Sequence, residues 1–241
     1  MTASRAKTIV VTGAGSGIGR AVASRFAAEG WHVGLVGRRL EPLRETVESF
    51  GADREPQAAV FGCDVSRAED VAAMAAAVLT RFEAVQVLVN AAGLNVPRRN
   101  LRDLSLEDWH RVVDTNLNGA YYCIRAFLPS MRAGCDGTII NINSDVGRVP
   151  RELAGAAYVT SKFGLAGLTS HINTEERAHG IRATSIFPRD VNTPLLDNRP
   201  QPPPADERAR MLQPEDLAAC VWLAATLPSH AIVDEIVLST R

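Results

Sequence analysis

Tyr158 and Lys162 stand four residues apart in Tyr158-Val159-Thr160-Ser161-Lys162. On a helix that spacing puts both side chains on one face, within reach of a shared ligand. A free phenol has a pKa of about 10 and is too weak a base near neutrality. A cation within a few Å favours the phenolate and lowers that value by about one unit or more. General acid-base catalysis works best when the pKa lies near the working pH, so a tyrosine-lysine pair suits proton exchange with an alcohol or a carbonyl. Upstream, the apolar run Thr138-Ile139-Ile140-Asn141-Ile142 ends at Asn143-Ser144, fourteen residues before Tyr158. The Ser144 hydroxyl then sits at the end of a strand, either to hydrogen-bond the reacting oxygen or to cap the following loop. Taken alone, the Tyr158-Lys162 spacing is common by chance and describes an exposed pair equally well; its surroundings weigh for catalysis.

A second group of residues points to a cofactor. The stretch Thr12-Gly13-Ala14-Gly15-Ser16-Gly17-Ile18-Gly19 follows the first apolar run, and an amphipathic pattern begins at once after it. Glycines at such a turn permit positive φ, let backbone amides approach a diphosphate, and let the helix pack closely on the strand. The positive end of the helix dipole then faces the anion. The spacing departs from Gly-x-Gly-x-x-Gly, since position 18 is isoleucine, but its place between a strand and a helix supports dinucleotide binding over a merely structural turn. In dinucleotide folds the second strand ends in an acidic residue that binds the adenosine ribose. Here that place reads Val36-Gly37-Arg38-Arg39. A guanidinium pairs with a 2′-phosphate through charge-assisted bonds, so the expected cofactor is NADP(H) in preference to NAD(H), with Arg38 as main contact and Arg39 as accessory. Two solvated arginines opening a helix are the alternative.

These groups must be held by a scaffold, and the chain supplies a regular one. Runs rich in Val and Ile fall near Thr8–Thr12, His32–Val36, Ala58–Phe61, Val87–Asn90, Gly137–Asn143, Arg182–Phe187 and Glu235–Leu238. Between them lie helical patterns at Ile18–Glu29, Glu41–Phe50, Ala68–Phe82, Leu106–Met131, Ala157–Ala178 and Pro214–Leu227. Such alternation predicts an α/β fold: a Rossmann-type, doubly wound parallel sheet of about seven strands flanked by helices in three layers. Residues 1–241 read as one dinucleotide-binding domain. Five prolines, 194, 200, 202, 203 and 204, fall within eleven residues, where a regular helix is excluded. That segment follows the sixth strand, so residues around 189–213 are expected to form a substrate-covering loop over the carboxyl edge of the sheet, with a plain surface connection as the alternative.

Composition bounds the remaining classes. The chain has 241 residues, 46 % hydrophobic and 22 % charged, with a formal charge of −1. That size is ample for a buried core, and the near-neutral charge removes the electrostatic case for nucleic acid or anionic membrane as main partner. The longest notable apolar stretch, Leu217 to Leu227, is far short of the roughly 18 to 20 residues of a membrane span. Met1 to Lys7 leads into Ile9-Val10-Val11 and then glycines, unlike a signal peptide's long apolar core. Cys63, Cys123, Cys135 and Cys220 are scattered, with no Cys-x-x-Cys pair and no His at metal-ligand spacing. They read as buried reduced thiols, with no metal site, and a cytoplasmic location is expected.

Together these residues resemble the short-chain dehydrogenase/reductase family from Lys7 to about Leu238. The resemblance rests on Thr12 to Gly19, Asp64-Val65, Asn90-Ala91-Ala92-Gly93, Asn116 in Asn-Leu-Asn-Gly, Ser144, and Tyr158 with Lys162. It implies an NAD(P)(H) oxidoreductase in which hydride moves between nicotinamide and carbon. By the same likeness Gly13, Ser16, Gly17, Ile18 and Gly19 line the diphosphate. Asp64 would hold the adenine amino group with Val65 beside the ring, and Asn90, with Ala91 and Gly93 after it, would brace the strand next to the cofactor. Asn116 would anchor a water relay to Lys162, which would also hold the nicotinamide ribose, while Tyr158 passes the proton and Ser144 orients the carbonyl. Pro188, Val191 and Thr193 match positions near the nicotinamide carboxamide.

Two departures stand out. Members usually have Pro-Gly after the sixth strand, where this chain reads Pro188-Arg189; arginine disfavours positive φ, so a narrower or more basic pocket is expected. Asn143 stands where another serine is common, beside Asp145. The chain also closes on Glu235 to Arg241 without a Gly-Gly ending, more like members that act on small ketones, aldehydes or hydroxy acids. The expected partners are a small carbonyl or alcohol substrate and further copies of the chain, as a homodimer or homotetramer across the helical stretches containing Tyr121, Tyr122, Ile124 and Phe127. A dinucleotide-binding sensor without turnover and an NAD-linked alcohol or sugar dehydrogenase remain as rivals.

Overall fold

In the computed structural model, which describes residues 6–241, the strands are β1 (Thr8–Thr12), β2 (His32–Gly37), β3 (Ala58–Gly62), β4 (Val87–Asn90), β5 (Gly137–Ile142), β6 (Ile181–Pro188) and β7 (Glu235–Leu238). The main helices are α1 (Gly17–Ala28), α2 (Leu40–Glu48), α3 (Ala68–Phe82), α4 (Leu106–Val113), α5 (Gly119–Gly134), α6 (Ala156–Glu175), α7 (Ala205–Arg208) and α8 (Pro214–Thr226). All seven strands pair in parallel, in the order β3-β2-β1-β4-β5-β6-β7. The strand order reverses between β1 and β4, and open α/β sheets bind their ligands outside the carboxyl ends of the strands at such a point.

Side chains alternate across the sheet with period two. Ile9, Val11, Val87 and Val89 face Phe26 of α1 and Leu217 and Val221 of α8. Val10, Leu88 and Ile139 face Val78 of α3, Phe127 of α5 and Ile172 of α6. Both faces are therefore covered, which is why the strands read as near-continuous apolar runs.

The exceptions to that apolar rule lie in one row at the carboxyl end. Thr12 is in register with Asn90, Asn90 with Asn141, and Asn141 with Ser185. Asn90 Nδ2 donates to Asn141 Oδ1 at 2.9 Å, and Asn141 Nδ2 donates to Thr169 Oγ1 at 2.8 Å. Ser185 Oγ donates to the same Thr169 oxygen at 3.0 Å. Buried amides without partners are costly, so the row pins the strand ends and α6 in one arrangement.

The expected single helical stretch from Leu106 to Met131 is interrupted. Ser105 opens it, its Oγ accepting from the Asp108 amide at 3.0 Å, but Asp114–Asn118 forms a wider π-helical turn before α5 resumes. The proline-rich segment is irregular as expected, apart from a 3-10 turn at Pro194–Asn198 and the single turn of α7. It is tied down by the bridge from Val191 to Leu212, by Asn192 Nδ2 donating to Gln213 Oε1 at 3.0 Å, and by an Arg208–Asp197 ion pair. Among the described residues no helix is long and apolar enough to cross a membrane.

Candidate active site

The first βα turn is built by exclusion of side chains. Gly13 and Gly17 adopt φ of +68° and +49°, values that L side chains rarely take. A Cβ on Gly19 would lie 2.4 Å from the Gly13 carbonyl oxygen, and one on Gly13 would lie 3.0 Å from Ala91 O. Gly19→Ala must therefore push α1 off the turn. It is expected to cost about 1–3 kcal/mol of stability, read as a lowered denaturant midpoint. Thr12 Oγ1 accepts from the amides of Ala91 and Ala92 at 3.1 and 3.0 Å, which draws the segment after β4 against the turn.

Ser16 caps α1 without a side-chain hydrogen bond, and the first turn holds no acidic residue. The amides at that helix end are thus open to an anion. Arg38 and Arg39, both exposed, line the same cleft and make no ion pair among the described residues. This arrangement fits a phosphorylated dinucleotide: a glycine cradle that side chains would fill, free helix amides, and two unpaired cations.

The cleft encloses about 800 Å³, within the size range of cofactor and small-molecule sites. It brings together Gly13, Ser16, Gly17, Ile18, Gly19, Arg38, Arg39, Ala91, Gly93, Ser144, Tyr158, Lys162, Pro188, Val191 and Thr193. Val65, Asn90 and Asn116 lie behind its wall, around a small closed space with Thr12 and Leu165. Asp64 lies outside both cavities and accepts from Ser66 Oγ at 2.7 Å and Ser66 N at 3.1 Å. Burial pushes its carboxyl up, but these bonds and the charges of Arg38 and Arg67 outweigh it and hold Asp64 below the usual carboxylate range.

Tyr158 and Lys162 sit on the first two turns of α6, facing the end of β5. Lys162 is buried; its Nζ donates to Ile142 O at 2.8 Å and lies 5.5 Å from the centre of the Tyr158 ring. Burial lowers its pKa to about 8. The phenol runs opposite to the direction the sequence suggests. Burial raises Tyr158 to about 12; Ser144 hydrogen-bonds it and pulls it down, Asp145 pushes it up, and Arg199 and Arg99 pull it down. The ammonium is aimed at a backbone carbonyl, so desolvation wins. Ser144 Oγ also lies 3.2 Å from Asp145 Oδ1 and accepts from Val146 N at 3.4 Å.

Asn116 lies in the π-helical turn and is buried. Its Oδ1 accepts from Leu94 N at 2.8 Å, and its Nδ2 donates to Leu94 O at 2.9 Å and reaches Ser161 Oγ at 3.4 Å. Arg189 takes an ordinary negative φ; its amide donates to Leu238 O at 3.0 Å and prolongs the β6–β7 ladder without strain.

Some residues that shape the site went unnoticed in the sequence. Asn141 and Thr169 form the polar row, and the signal for Asn141 was present as one amide inside an isoleucine run. Arg99, in the segment after β4, is only 7 % exposed and lines the cleft; nothing local in the sequence announces its burial.

A family model for short chain dehydrogenases matches residues 7–203. The chain is 33 % identical to sulfoacetaldehyde reductase 2 of Chromohalobacter salexigens, over 97 % of this chain and 94 % of that one. Among solved structures, a metagenomic short-chain oxidoreductase in complex with NADP superposes with a TM-score of 0.84 at 32 % identity, covering 98 % of this chain and 97 % of that one. The 3-ketoacyl-(acyl-carrier-protein) reductase of Brucella melitensis complexed with NADH gives 0.87 at 27 % identity, covering 97 % and 96 %.

Proposed function

The chain belongs to the short-chain dehydrogenase/reductase family, whose members are oxidoreductases using a nicotinamide dinucleotide, and on that premise we propose that it prefers NADP(H) and interconverts a carbonyl and a secondary alcohol with Tyr158 as general acid-base. The observation that carries this reading is the convergence of Tyr158, Lys162 and Ser144 on the cleft that the glycine turn opens into. The chemistry a bound nicotinamide dinucleotide supplies is hydride transfer to or from the substrate carbon.

The chain's own residues do the rest. Gly13, Ser16, Gly17, Ile18 and Gly19 present backbone amides to the diphosphate, and Arg38 with Arg39 takes the 2′-phosphate. Asp64 and Val65, beyond the cleft lining, would border the adenine; Asn90, behind the wall, would brace the strand whose Ala91 and Gly93 line the cleft, and Pro188, Val191 and Thr193 would close the carboxamide end. Ser144 Oγ donates to the substrate oxygen and aligns it with the Tyr158 hydroxyl, which gives up its proton in reduction and takes one back in oxidation. Lys162 holds the ribose and supplies positive charge beneath the phenol. Asn116, fixed by Leu94 and Ser161, is a positioning residue for the relay to Lys162. Its support is the π-helical turn, a feature frequent at functional sites. Residues 1–241 act as one domain, with the segment around 189–213 covering the substrate; Thr193 to Leu196, Asn198 and Arg199 of that segment line the cleft, which supports that role. Of the four cysteines expected to be buried, Cys63 and Cys123 are, Cys220 is half-buried and Cys135, at the end of α5, is exposed; that all four are unpaired accords with a reducing, cytoplasmic setting.

The test is NADPH oxidation, followed at the reduced-nicotinamide absorbance band, with a panel of carbonyl compounds. Turnover is expected, and a protein that binds NADPH yet reduces none of them would be the non-catalytic sensor instead.

Assembly follows from what the helices leave uncovered. Of the four side chains expected at an interface, Ile124 and Phe127 are buried in the core and Tyr122 packs against it; Tyr121 of α5 stays 45 % exposed, with Leu106 of α4 and Phe163 of α6 at 80 % and 42 %, and large apolar side chains left exposed favour a packed partner. A homodimer or homotetramer is the expected species in light scattering at micromolar protein, and a monomer there removes the idea.

A further inference from the structure

A guanidinium taken out of water needs an anion, or acceptors for its donors, because an unpaired buried charge is costly. Arg99 is nine-tenths buried and lines the cleft, yet it forms no ion pair among the described residues. The carboxylates of the cleft wall are already engaged, Asp145 with Arg151 at 2.8 Å and Asp190 with Arg199. Of the five N–H groups of Arg99, one on Nη1 reaches Leu153 O at 3.5 Å and one on Nη2 donates to Asn198 O. Both acceptors are neutral carbonyls. Its Nε is buried without a partner.

The surroundings point the same way. Arg199 and Tyr158 line the same cleft as Arg99, and the charges of both arginines act on the Tyr158 phenol. Among the described residues the other buried side-chain donor without a partner is Asn143 Nδ2, which lines the same cleft next to Ser144. Its amide orientation is fixed by Asn143 Oδ1 accepting from Ser144 N at 3.0 Å. Arg99 belongs to the substrate end of the cleft: its guanidinium is bonded to Leu153 and Asn198, whereas Arg38 and Arg39 directly follow β2, the strand that pairs with β1 before the glycine turn.

We propose that this cleft takes substrates bearing a small organic anion, a carboxylate, sulfonate or phosphate next to the reacting carbonyl or alcohol, held by Arg99 and Arg199. The inference rests on the oxidoreductase reading above and narrows its substrate class.

The full-length protein with NADPH is assayed on three matched pairs: a short oxo acid and its methyl ester, an oxo sulfonate and the neutral sulfone, and a phosphorylated hydroxyketone and the free hydroxyketone. At least one anion is expected to exceed its neutral partner in kcat/KM by about 10- to 100-fold, the range for hydrogen bonds to a charged group. That ratio falls by a similar factor in Arg99→Met and in Arg199→Gln, and by less in Arg99→Lys. A readout without turnover accompanies it: propionate, ethanesulfonate or ethyl phosphate, whichever matches the preferred class, raises the Tm of the NADP-loaded protein, and Arg99→Met loses that rise. Neutral members preferred in all three pairs, or an unchanged ratio in both variants, overturns the anion site and leaves the oxidoreductase reading standing. A rise in cofactor KM alone in Arg99→Met does the same. Failure to reduce any carbonyl, neutral or charged, overturns both.

Discussion

Tyr158→Phe is expected to lower kcat for carbonyl reduction by about three orders of magnitude while leaving NADPH affinity within a few-fold. General acid-base catalysis by a positioned side chain contributes about 10²–10⁴-fold, and the substitution removes only the hydroxyl. The ring stays packed against the cluster of Leu94, Val96, Val112 and Ala157, so the fold and the glycine turn are untouched. Steady-state kinetics beside a fluorescence titration of NADPH separates the two effects. Activity retained within tenfold of the parent would exclude the phenol as the proton donor.

The pH dependence of that reaction carries a definite sign. With Tyr158 raised to about 12, the phenol is protonated throughout the neutral range, so the site is charged with the proton that reduction consumes. Lys162, lowered to about 8 by burial, loses its ammonium as pH rises through that value. Reduction is therefore expected to run level at lower pH and to fall above about pH 8, before the phenol itself titrates. Lys162→Arg, which stays charged at every accessible pH, moves that limb upward if the lysine sets it. A limb that stays put assigns the titration to another group.

What could be read from the chain alone follows from how local each signal is. The parallel sheet was legible because βαβ units repeat short, near-continuous apolar runs and helical patterns in strict alternation, and all seven runs became strands. The glycine turn was legible because Gly13, Gly17 and Gly19 are demanded by backbone geometry that only neighbours in sequence create. The π-helical turn was not, since Leu106 to Met131 carries one helical pattern and the extra residue per turn shows only in the direction Asn116 points. The phenol's acidity was misjudged for a related reason: i,i+4 spacing brings Lys162 to the right face, but the Ile142 carbonyl that takes its ammonium comes from another strand. The burial of Arg99 was not legible either, because its partners Leu153 and Asn198 are distant in sequence.

Arg38→Asp is expected to reverse the cofactor preference, lowering the ratio of kcat/KM with NADPH to that with NADH by at least about 100-fold. Arg38 follows β2 directly, exposed and without an ion pair, at the place where dinucleotide folds carry the acid that binds ribose hydroxyls. Each charge-assisted bond from a guanidinium to phosphate is worth about 1.5–3 kcal/mol, and about 1.4 kcal/mol is tenfold in affinity. The substitution deletes those bonds and sets a carboxylate against the 2′-phosphate, while giving NADH the ribose acceptor it lacks here. Asp64 sharpens the effect. It already lies in the field of Arg38, so the variant places two carboxylates near one phosphate. Arg39→Ala, the accessory contact, shifts the ratio by less. If Arg38→Asp leaves the ratio unchanged, the two arginines are solvated surface charges and the NADP(H) preference is wrong, with the fate of Tyr158 unaffected.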